Sequence, residues 1–222
     1  MNEKEMVAEE AVEIVRDGMI LGIGSGTTVE LFLRKLGDKI KSEGLEIYGV
    51  PSSYQSHLVA VEVGIKIVDL FEYPELDLCI DGADQIDKNL NCIKGGGGAL
   101  TREKIVSQAS KRFVVIAEGR KFVEKLNMPV PIEVLPFAYG YIKRKLSEIG
   151  GVCRLRFGSG KVGPVVTDNG NFIIDCDFGE IENPESLESD LNSIAGVVEN
   201  GLFCNVDEVI LGCKDGVKFL KR

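Results

Sequence analysis

The stretch Met19-Ile-Leu-Gly-Ile-Gly-Ser-Gly-Thr-Thr28 decides the fold class of this chain. It begins with an apolar run short enough for one buried strand, and its glycines permit a tight turn. Its two threonines then open an amphipathic helical pattern that continues to Ile40. A strand that turns through glycines into a helix N-terminus is how α/β proteins hold phosphate. We therefore predict an α/β fold with an anion-binding loop, although the threonines would also suit simple helix caps.

The glycine spacing in this loop argues against a bound nucleotide. Gly22-x-Gly-x-Gly26 lacks the third glycine of the dinucleotide fingerprint G-x-G-x-x-G, and no Gly-Lys-Ser/Thr of a Walker sequence follows. A small phosphorylated ligand fits the loop better. The candidate contacts are Ser25, Gly26, Thr27 and Thr28.

Helical and strand patterns alternate along the first half of the chain. The predicted helices cover residues 4–17, 27–42, 53–63 and 99–110. The predicted strands cover residues 19–24, 46–50, 66–68, 77–81 and 113–117. Such alternation is typical of a parallel sheet with helices on both faces, in which ligands bind at the carboxyl ends of the strands.

The pattern changes at Pro129, where three prolines within eight residues indicate a domain boundary. A β-α-β-β-α-β order follows, with strands at 131–135, 152–157 and 197–199, helices at 137–149 and 184–194, and a hairpin at 164–175 around Asn169-Gly170. We predict a Rossmann-like parallel sheet domain, residues 1–128 and 201–222. A smaller ferredoxin-like α+β domain, residues 129–200, is inserted before a C-terminal hairpin at 208–220. The polar residues of this smaller domain are scattered, so we interpret it as a packing and assembly domain.

A second glycine loop lies between Asp81-Gly-Ala-Asp84 and a further helix, in Lys94-Gly-Gly-Gly-Gly-Ala-Leu-Thr-Arg-Glu103-Lys. Four consecutive glycines carry no side chains, so their N–H groups can converge on an anionic oxygen. The following helix adds partial positive charge. A flexible linker is the alternative, but linkers normally include Ser and Pro. Three carboxylates and an ammonium group around such a loop are typical of a proton-transfer site.

Together, Gly22-Ile-Gly-Ser-Gly-Thr-Thr28 and the two segments around the second loop resemble the type A ribose-5-phosphate isomerases, in order and in separation. The resemblance covers essentially the whole chain, and Lys121 in Glu118-Gly-Arg-Lys also fits. It implies an aldose–ketose isomerase that interconverts ribose 5-phosphate and ribulose 5-phosphate, with Glu103 as the general base. The implied catalytic residues are Glu103, Asp81 and Lys94. The implied substrate contacts are Ser25, Gly26, Thr27, Thr28, Asp81, Gly82, Ala83, Asp84, Lys94, Gly95, Gly96, Gly97 and Lys121.

Isomerisation moves a proton from C2 to C1 of the sugar through an enediol, and one carboxylate can serve both steps. Asp81 could shuttle protons between the sugar oxygens, while Lys94 and the glycine amides would stabilise the oxyanion. Asp84 suits the sugar hydroxyls or an Asx-turn, and Lys121 suits the ligand or a solvated surface.

Two positions depart from the family pattern. Ser25 stands where the family usually has Thr, and Gln85 follows the second aspartate where it usually has an acidic residue. Ser25 keeps the hydroxyl group and Gln85 lies outside the catalytic set, so both departures are compatible with the assignment.

Composition excludes several classes of partner. The chain has 222 residues, a net charge of −9 and a pI of about 4.9, which argues against binding to nucleic acid or to an anionic membrane. The acidic N-terminus and the absence of a long apolar run predict a cytoplasmic protein without signal peptide or membrane span. The family resemblance implies a homodimer or homotetramer.

Neither a metal nor a cofactor is expected. The six cysteines form no C-x-x-C pair and His57 is the single histidine, so zinc is improbable and the cysteines suit buried, reduced thiols. His57 lies in the predicted helix 53–63, away from both glycine loops, and is expected to be a surface or packing residue.

Two other functional classes stay open on the sequence. A non-catalytic sugar-phosphate sensor would be expected to carry a helix-turn-helix segment and a basic face, and neither is visible. An acyl or CoA transferase could use Glu103 as a nucleophile beside a glycine oxyanion loop. A covalent glutamyl adduct trapped with hydroxylamine would favour the transferase.

Overall fold

The computed structural model describes residues 2–160 and 162–222, and this part of the chain forms two compact units. The first unit comprises the chain up to Ala83, Arg102–Phe122 and Asn205–Arg222. The second comprises Asp84–Thr101 and Val123–Cys204. The boundary after Thr101 falls inside a helix, which therefore contributes residues to both units.

The helices and strands of the described residues are numbered along the chain. The helices are α1 (Glu3–Glu13), α2 (Thr27–Glu43), α3 (Tyr54–Glu62), α4 (Leu100–Gln108), α5 (Tyr139–Glu148) and α6 (Pro184–Asn192). The strands are β1 (Ile20–Ile23), β2 (Tyr48–Pro51), β3 (Lys66–Ile67), β4 (Leu78–Asp81), β5 (Gln85–Ile86), β6 (Cys92–Ile93), β7 (Phe113–Glu118), β8 (Val130–Val134), β9 (Val152–Leu155), β10 (Phe172–Asp177), β11 (Val197–Asn200), β12 (Leu202–Phe203), β13 (Glu208–Cys213) and β14 (Gly216–Lys221).

The first unit is built on a sheet that, within the described residues, has seven strands in the order β14-β13-β7-β4-β1-β2-β3. Its pairs are parallel except for β13 with β14, the predicted C-terminal hairpin. The strand order reverses between β1 and β4, and open α/β sheets bind ligands at the carboxyl ends of strands at such a point. The first glycine loop follows β1, and Asp81 ends β4.

Apolar packing explains why these segments form the sheet. Leu21, Ile80 and Ile116 are nearly or fully buried in the core of the first unit, together with the apolar face of α2 that includes Phe32 and Leu36. Full burial of one such side chain stabilises a fold by about 1.5–3 kcal/mol. The period of the apolar residues thus determines which face of each element points inward.

Helix boundaries follow local capping chemistry. The Asn2 side chain accepts a hydrogen bond from the Glu5 amide while the Glu5 carboxylate accepts one from the Asn2 amide, so α1 starts with a capping box. This helix ends at Glu13, four residues before the predicted end at 17. Helix α2 ends at Glu43, and the following Gly44 caps it with a φ of 71°, in the left-handed region favoured by glycine.

The second unit contains a sheet of the order β11-β8-β10-β9, with antiparallel pairs. Helix α5 connects β8 to β9, and α6 connects β10 to β11, as in a ferredoxin-like domain. These two units confirm the predicted fold class. The core includes Ile132, Ile142, Leu146 and Ile174, all fully buried.

Three short strands were not predicted. Strands β5, β6 and β12 form a small antiparallel sheet in the order β12-β6-β5 within the second unit. Each has only two residues, too few for an alternating pattern to emerge from the sequence. Because of this sheet, residues 84–101 pack with the second unit, whereas the predicted first domain ran without a break to 128. The predicted domain assignment itself stays a prediction.

The predicted hairpin at 164–175 forms only in its second arm. Residues 172–175 belong to β10, but the first arm makes only isolated bridges, from Pro164 to Phe157 and from Val166 to Phe172. The turn itself is closed, because the Thr167 amide donates to the Asn171 carbonyl at 2.9 Å and the Gly170 amide donates to the Thr167 carbonyl at 2.9 Å.

The expectation of reduced cysteines is wrong for one pair. Cys153 on β9 and Cys176 on β10 lie directly opposite in the antiparallel register, with Cα atoms 4.1 Å apart, and the structure joins their sulfurs. They are 23 residues apart in sequence, so spacing alone could not identify the pair. Cys79, Cys92, Cys204 and Cys213 are not disulfide-bonded.

No helix among the described residues combines the length and the apolar composition that crossing a bilayer would require.

Candidate active site

Asp81 is held against the first glycine loop. It is fully buried, and its Oδ1 accepts hydrogen bonds from the amides of Ser25 (3.0 Å) and Gly82 (2.7 Å). A Cβ atom at Gly24 would come within 2.0 Å of the Asp81 carboxyl group, so only glycine can occupy that position. The first glycine loop therefore packs closely against the Asp81 carboxylate. The loop follows β1 and Asp81 ends β4, two adjacent parallel strands.

Serine hydroxyls brace the same loop. Ser25 Oγ donates to Ser53 Oγ at 2.7 Å and lies 2.9 Å from Ser52 Oγ. Ser53 also caps α3, because its hydroxyl accepts from the Ser56 amide at 3.1 Å. Serine and threonine both carry a hydroxyl group at this position, and in this chain the Ser25 hydroxyl has a defined partner in Ser53.

The N-terminus of α2 presents backbone amides and a lysine. Gly26 precedes the helix with a φ of 102°, a conformation that L side chains rarely adopt, and no side chain caps the helix there. Lys4, in the first turn of α1, donates from Nζ to Thr27 Oγ1 at 2.9 Å. Thr28, the second residue of α2, is buried. An exposed helix N-terminus beside an ammonium group is suited to an anion such as phosphate.

Lys121 lies beside the loop that follows β4. Its Nζ donates to the carbonyl oxygen of Ala83, two residues after Asp81. This contact brings Gly82, Ala83 and Lys121 together within the first unit. Lys121 is therefore not a freely solvated surface charge.

Glu103 lies in the first turn of α4 and is 5% exposed. Its neighbour Arg102 stacks over the Tyr54 ring, 5.4 Å from the ring centroid, in the first unit. Although it stands between the basic residues Arg102 and Lys104, Glu103 is therefore not a solvated surface glutamate. His57 is half-buried in α3, as expected for a packing residue.

The second glycine loop belongs to the second unit. Gly95 and Gly98 have φ values of 96° and 84°, and the Gly98 amide donates to the Gly95 carbonyl at 3.0 Å, closing a tight turn through Gly96 and Gly97. Arg156 on the outer side donates from Nη1 to the carbonyls of Gly95 (2.8 Å) and Gly96 (3.0 Å). These bonds fix the orientation of the loop's peptide groups.

Asp84 and Lys94 flank this turn. Asp84 Oδ2 accepts from the Gly96 amide at 2.7 Å, so this carboxylate organises the loop. Lys94 is 2% exposed, and its Nζ lies 5.1 Å from the centroid of the Phe203 ring. The Gln85 side chain accepts hydrogen bonds from the amides of Asn127 and Met128. These contacts are compatible with its place outside the catalytic set.

The structure thus distributes the predicted site residues over the two units. Ser25, Gly26, Thr27, Thr28, Asp81, Gly82, Ala83, Glu103 and Lys121 lie in the first unit. Asp84, Lys94, Gly95, Gly96 and Gly97 lie in the second. Among the described residues, no three His, Cys, Asp or Glu side chains are grouped so that they could hold a metal ion.

Sequence reasoning missed two residues that contact the predicted loops. Lys4 stands among acidic residues of a helix and carries no sequence signal of its own. Arg156 sits in a region interpreted as packing surface, and its contacts depend on tertiary structure. Neither residue could have been found from spacing.

Comparisons with known proteins agree with this geometry. Residues 48–216 match the family ribose 5-phosphate isomerase A (phosphoriboisomerase A). The chain is 60% identical to ribose-5-phosphate isomerase A of Archaeoglobus fulgidus over 98% of both chains. It is 51% identical to that of Methanosarcina acetivorans, over 99% of this chain and 94% of the relative.

Solved structures give the same result. Ribose 5-phosphate isomerase A from Methanocaldococcus jannaschii is 47% identical, with a TM-score of 0.96 over 99% of this chain and 98% of that chain. A D-ribose-5-phosphate isomerase in complex with phospho-erythronic acid is 46% identical, with a TM-score of 0.97 over 100% of both chains. This chain belongs to the ribose 5-phosphate isomerase A family.

Proposed function

We propose that this chain, a ribose-5-phosphate isomerase, interconverts D-ribose 5-phosphate and D-ribulose 5-phosphate by proton transfer through an enediol. The single observation that carries the activity is 60% identity to a ribose-5-phosphate isomerase A over 98% of both chains. The proton-transfer mechanism is supported by Glu103, a carboxylate with 5% exposure directly after a glycine loop.

Glu103 is proposed as the base. It would take the proton from C2 of the open-chain aldose, leaving an enediolate, and return a proton to C1 to give the ketose. One carboxylate suffices because it is regenerated in each turnover. Asp81 would move a proton between the two sugar oxygens; its backbone bonds from Ser25 and Gly82 hold that carboxylate in one orientation.

Charge develops on the sugar oxygens as the enediolate forms. Lys94 and the backbone amides of the second glycine loop would stabilise this charge, since fixed donors in a buried site act without reorganisation. Asp84 would bind sugar hydroxyls, and its bond to the Gly96 amide supports a second role in shaping the loop.

The phosphate group is assigned to the first loop. The open N-terminus of α2, the hydroxyl of Thr27, and the ammonium groups of Lys4 and Lys121 supply the donors that a phosphate requires. The relative solved with phospho-erythronic acid is consistent with a site for a phosphorylated polyhydroxy acid.

The experiment follows ketose formation from ribose 5-phosphate in D2O. Proton transfer through an exchangeable base places deuterium at C1 of the product, whereas a direct hydride shift leaves that carbon unlabelled. Complete absence of label at early time points would contradict the proposed mechanism, and absence of ketose would contradict the activity. Hydroxylamine trapping of a glutamyl adduct would instead indicate the transferase chemistry.

We also place the enzyme in the cytoplasm as a homodimer or homotetramer. Large apolar side chains are exposed in the second unit, including Phe137 (91%) and Phe157 (64%), and exposed apolar groups favour association. Sedimentation equilibrium should give a multiple of the 24.2 kDa chain mass, and a monomer mass at micromolar concentration would contradict the assembly.

A further inference from the structure

A carboxylate is enclosed in the middle of the second unit. Glu133 in β8 has no exposed surface, and among the described residues four side chains donate hydrogen bonds to it. Its Oε1 accepts from Thr167 Oγ1 (2.9 Å), Asn169 Nδ2 (3.0 Å) and Asn171 Nδ2 (2.8 Å). Its Oε2 accepts from Thr101 Oγ1 at 2.6 Å.

Stability alone is a poor reason for this arrangement. The four donors are neutral, so the desolvation cost of Glu133 is offset only by hydrogen bonds. An apolar side chain in a central strand would commonly serve stability as well or better. What a buried, saturated carboxylate does provide is a fixed position for each group that bonds to it.

The donors come from two places in the sequence. Three belong to the turn Thr167-Asp-Asn-Gly-Asn171, which the sequence indicated only as a hairpin turn. The fourth, Thr101, belongs to the first turn of α4, two residues before the proposed base Glu103. Glu133 therefore connects a rigid turn to the start of the helix that carries Glu103.

Helix geometry makes this connection relevant to Glu103. Residues two apart in an α-helix are separated by roughly 200° about its axis, so Thr101 and Glu103 project to nearly opposite sides of α4. A hydrogen bond at Thr101 hence restrains rotation of the helix. A rotation of roughly 10° would move a carboxyl group by about 1 Å, a displacement that can cost about 10²-fold in rate.

We propose that Glu133 and Thr101 are positioning residues, which fix the rotation of α4 about its axis and thereby the position of the Glu103 carboxyl group. This inference rests on the proposed role of Glu103 as base. It gives residues 129–200, which the sequence indicated only as a packing and assembly domain, a part in positioning the base.

Thr101→Val tests the proposal because it keeps the side-chain shape and removes the hydroxyl. Thr167→Val is the matched control: Thr167 bonds to the same carboxylate, has the same 8% exposure, and lies outside α4. Thr167 also accepts from the amides of Asn169 and Asn171, so its loss should destabilise the fold at least as much.

We expect Thr101→Val to lower kcat by about 10- to 100-fold with KM within about threefold. Thr101→Ser should restore kcat to within about threefold of the parent, because it restores the donor. Thr167→Val should keep kcat within about threefold despite an equal or larger fall in the thermal midpoint. If Thr101→Val does not fold, Thr101→Ala carries the same expectation.

Equal kcat losses in folded Thr101→Val and Thr167→Val, or a parental kcat in Thr101→Val, would overturn the proposal. Glu103→Gln is measured in parallel to separate the two hypotheses. High activity in Glu103→Gln would refute the role of Glu103 itself. An inactive Glu103→Gln together with indistinguishable threonine variants would refute only the positioning role.

Discussion

At the candidate site, close contacts restrict which residue can occupy a position as much as its chemistry does. Gly24 matters because its missing side chain leaves room for the Asp81 carboxyl group, which a Cβ would approach within 2.0 Å. Asp81 in turn binds the Ser25 amide and so shapes the first loop. The function of the carboxylate and the conformation of the loop therefore depend on each other.

Glu103→Gln should keep the fold and lower kcat by at least ~10³-fold, because a positioned base supplies about 10² to 10⁴ of the rate. Glutamine has nearly the same size but cannot accept a proton at neutral pH. Steady-state assays with ribose 5-phosphate measure the loss, and circular dichroism checks the fold. Glu72→Gln, at an exposed loop position, is the control. A folded Glu103→Gln within tenfold of the parent would rule out Glu103 as the base.

Asp77 should make stability depend on pH in the acid range. Its hydrogen bond from the Ile20 amide (3.0 Å), assisted by Lys111, lowers the pKa of its carboxyl group below the ordinary 3.8. The unfolded chain therefore binds the proton more readily, and the stabilisation is present above pH 3.8 and disappears as the pH falls through the folded-state pKa.

Asp77→Asn tests this sign, because asparagine can still accept the Ile20 bond but cannot ionise. The difference in urea unfolding free energy between the parent and Asp77→Asn should shrink as pH falls from about 6 to about 2. Lys111→Met should retain most of the pH dependence, since the backbone bond is the larger cause. A constant difference across this range would contradict the assignment.

At the scale of secondary-structure elements, the first loop is completed by α1. The first turn of this helix places Lys4 Nζ 2.9 Å from Thr27 Oγ1, at the N-terminus of α2. Two helix starts, one with a cation and one with open amides, thus meet at the proposed phosphate position.

Lys4→Gln should reduce kcat/KM for ribose 5-phosphate by about 10- to 100-fold, since a charge-assisted hydrogen bond contributes about 1.5–3 kcal/mol. The loss for free ribose, which has no phosphate, should be much smaller. Lys35→Gln is the control, because Lys35 pairs with Glu9 on the surface of the same helix pair. Equal fractional losses for both sugars would show that Lys4 does not bind the phosphate.

Strand β9 supports the second glycine loop through the residue that follows it. Arg156 bonds to two carbonyls of the loop and forms a two-pronged ion pair with Asp175, which includes an Nε to Oδ2 distance of 2.8 Å. Guanidinium geometry allows all these bonds at once, whereas a lysine ammonium can reach only some of them.

Arg156→Lys leaves the net charge unchanged. It should lower kcat/KM by about tenfold, because the loop amides lose their fixed orientation. Arg154→Lys in the preceding strand β9, where the side chain is exposed, should have no effect. Steady-state assays of the two variants side by side provide the comparison. Equal activity of Arg156→Lys and Arg154→Lys would exclude a supporting role for Arg156.

At the scale of the whole molecule, local charge opposes the overall charge. The chain carries a net charge of −9, which would repel a sugar phosphate. Lys4, Arg102 and Lys121 belong to the first unit and Lys94 to the second, and they come from different parts of the sequence. Each unit contributes some of them, so neither unit by itself contains the full set of proposed contacts.

The fold class could be predicted from the sequence because it depends on local patterns of apolar residues and glycines. The apolar runs of β1, β4 and β7, the glycine turn before α2 and the β-α-β-β-α-β order depend on residues close together in the chain. The strands β5, β6 and β12 were not predictable, because two residues are too few for an alternating pattern and β12 pairs with a segment far away in the sequence. The predicted first arm of the hairpin at 164–175 forms only isolated bridges, from Pro164 to Phe157 and from Val166 to Phe172.

The sequence by itself determined the chemistry available at the site: Asp81, Lys94 and Glu103 stand beside glycine loops, and their motifs indicate proton transfer without any coordinates. Their catalytic roles stay predictions. Only the tertiary structure decided which residues contact the loops and the helix around them, because Lys4, Glu133 and Arg156 bond to Thr27, Thr101 and Gly95 over long sequence separations and lie outside every motif. A sequence motif reflects what the local backbone conformation requires. A hydrogen bond between distant segments depends instead on how the whole chain packs.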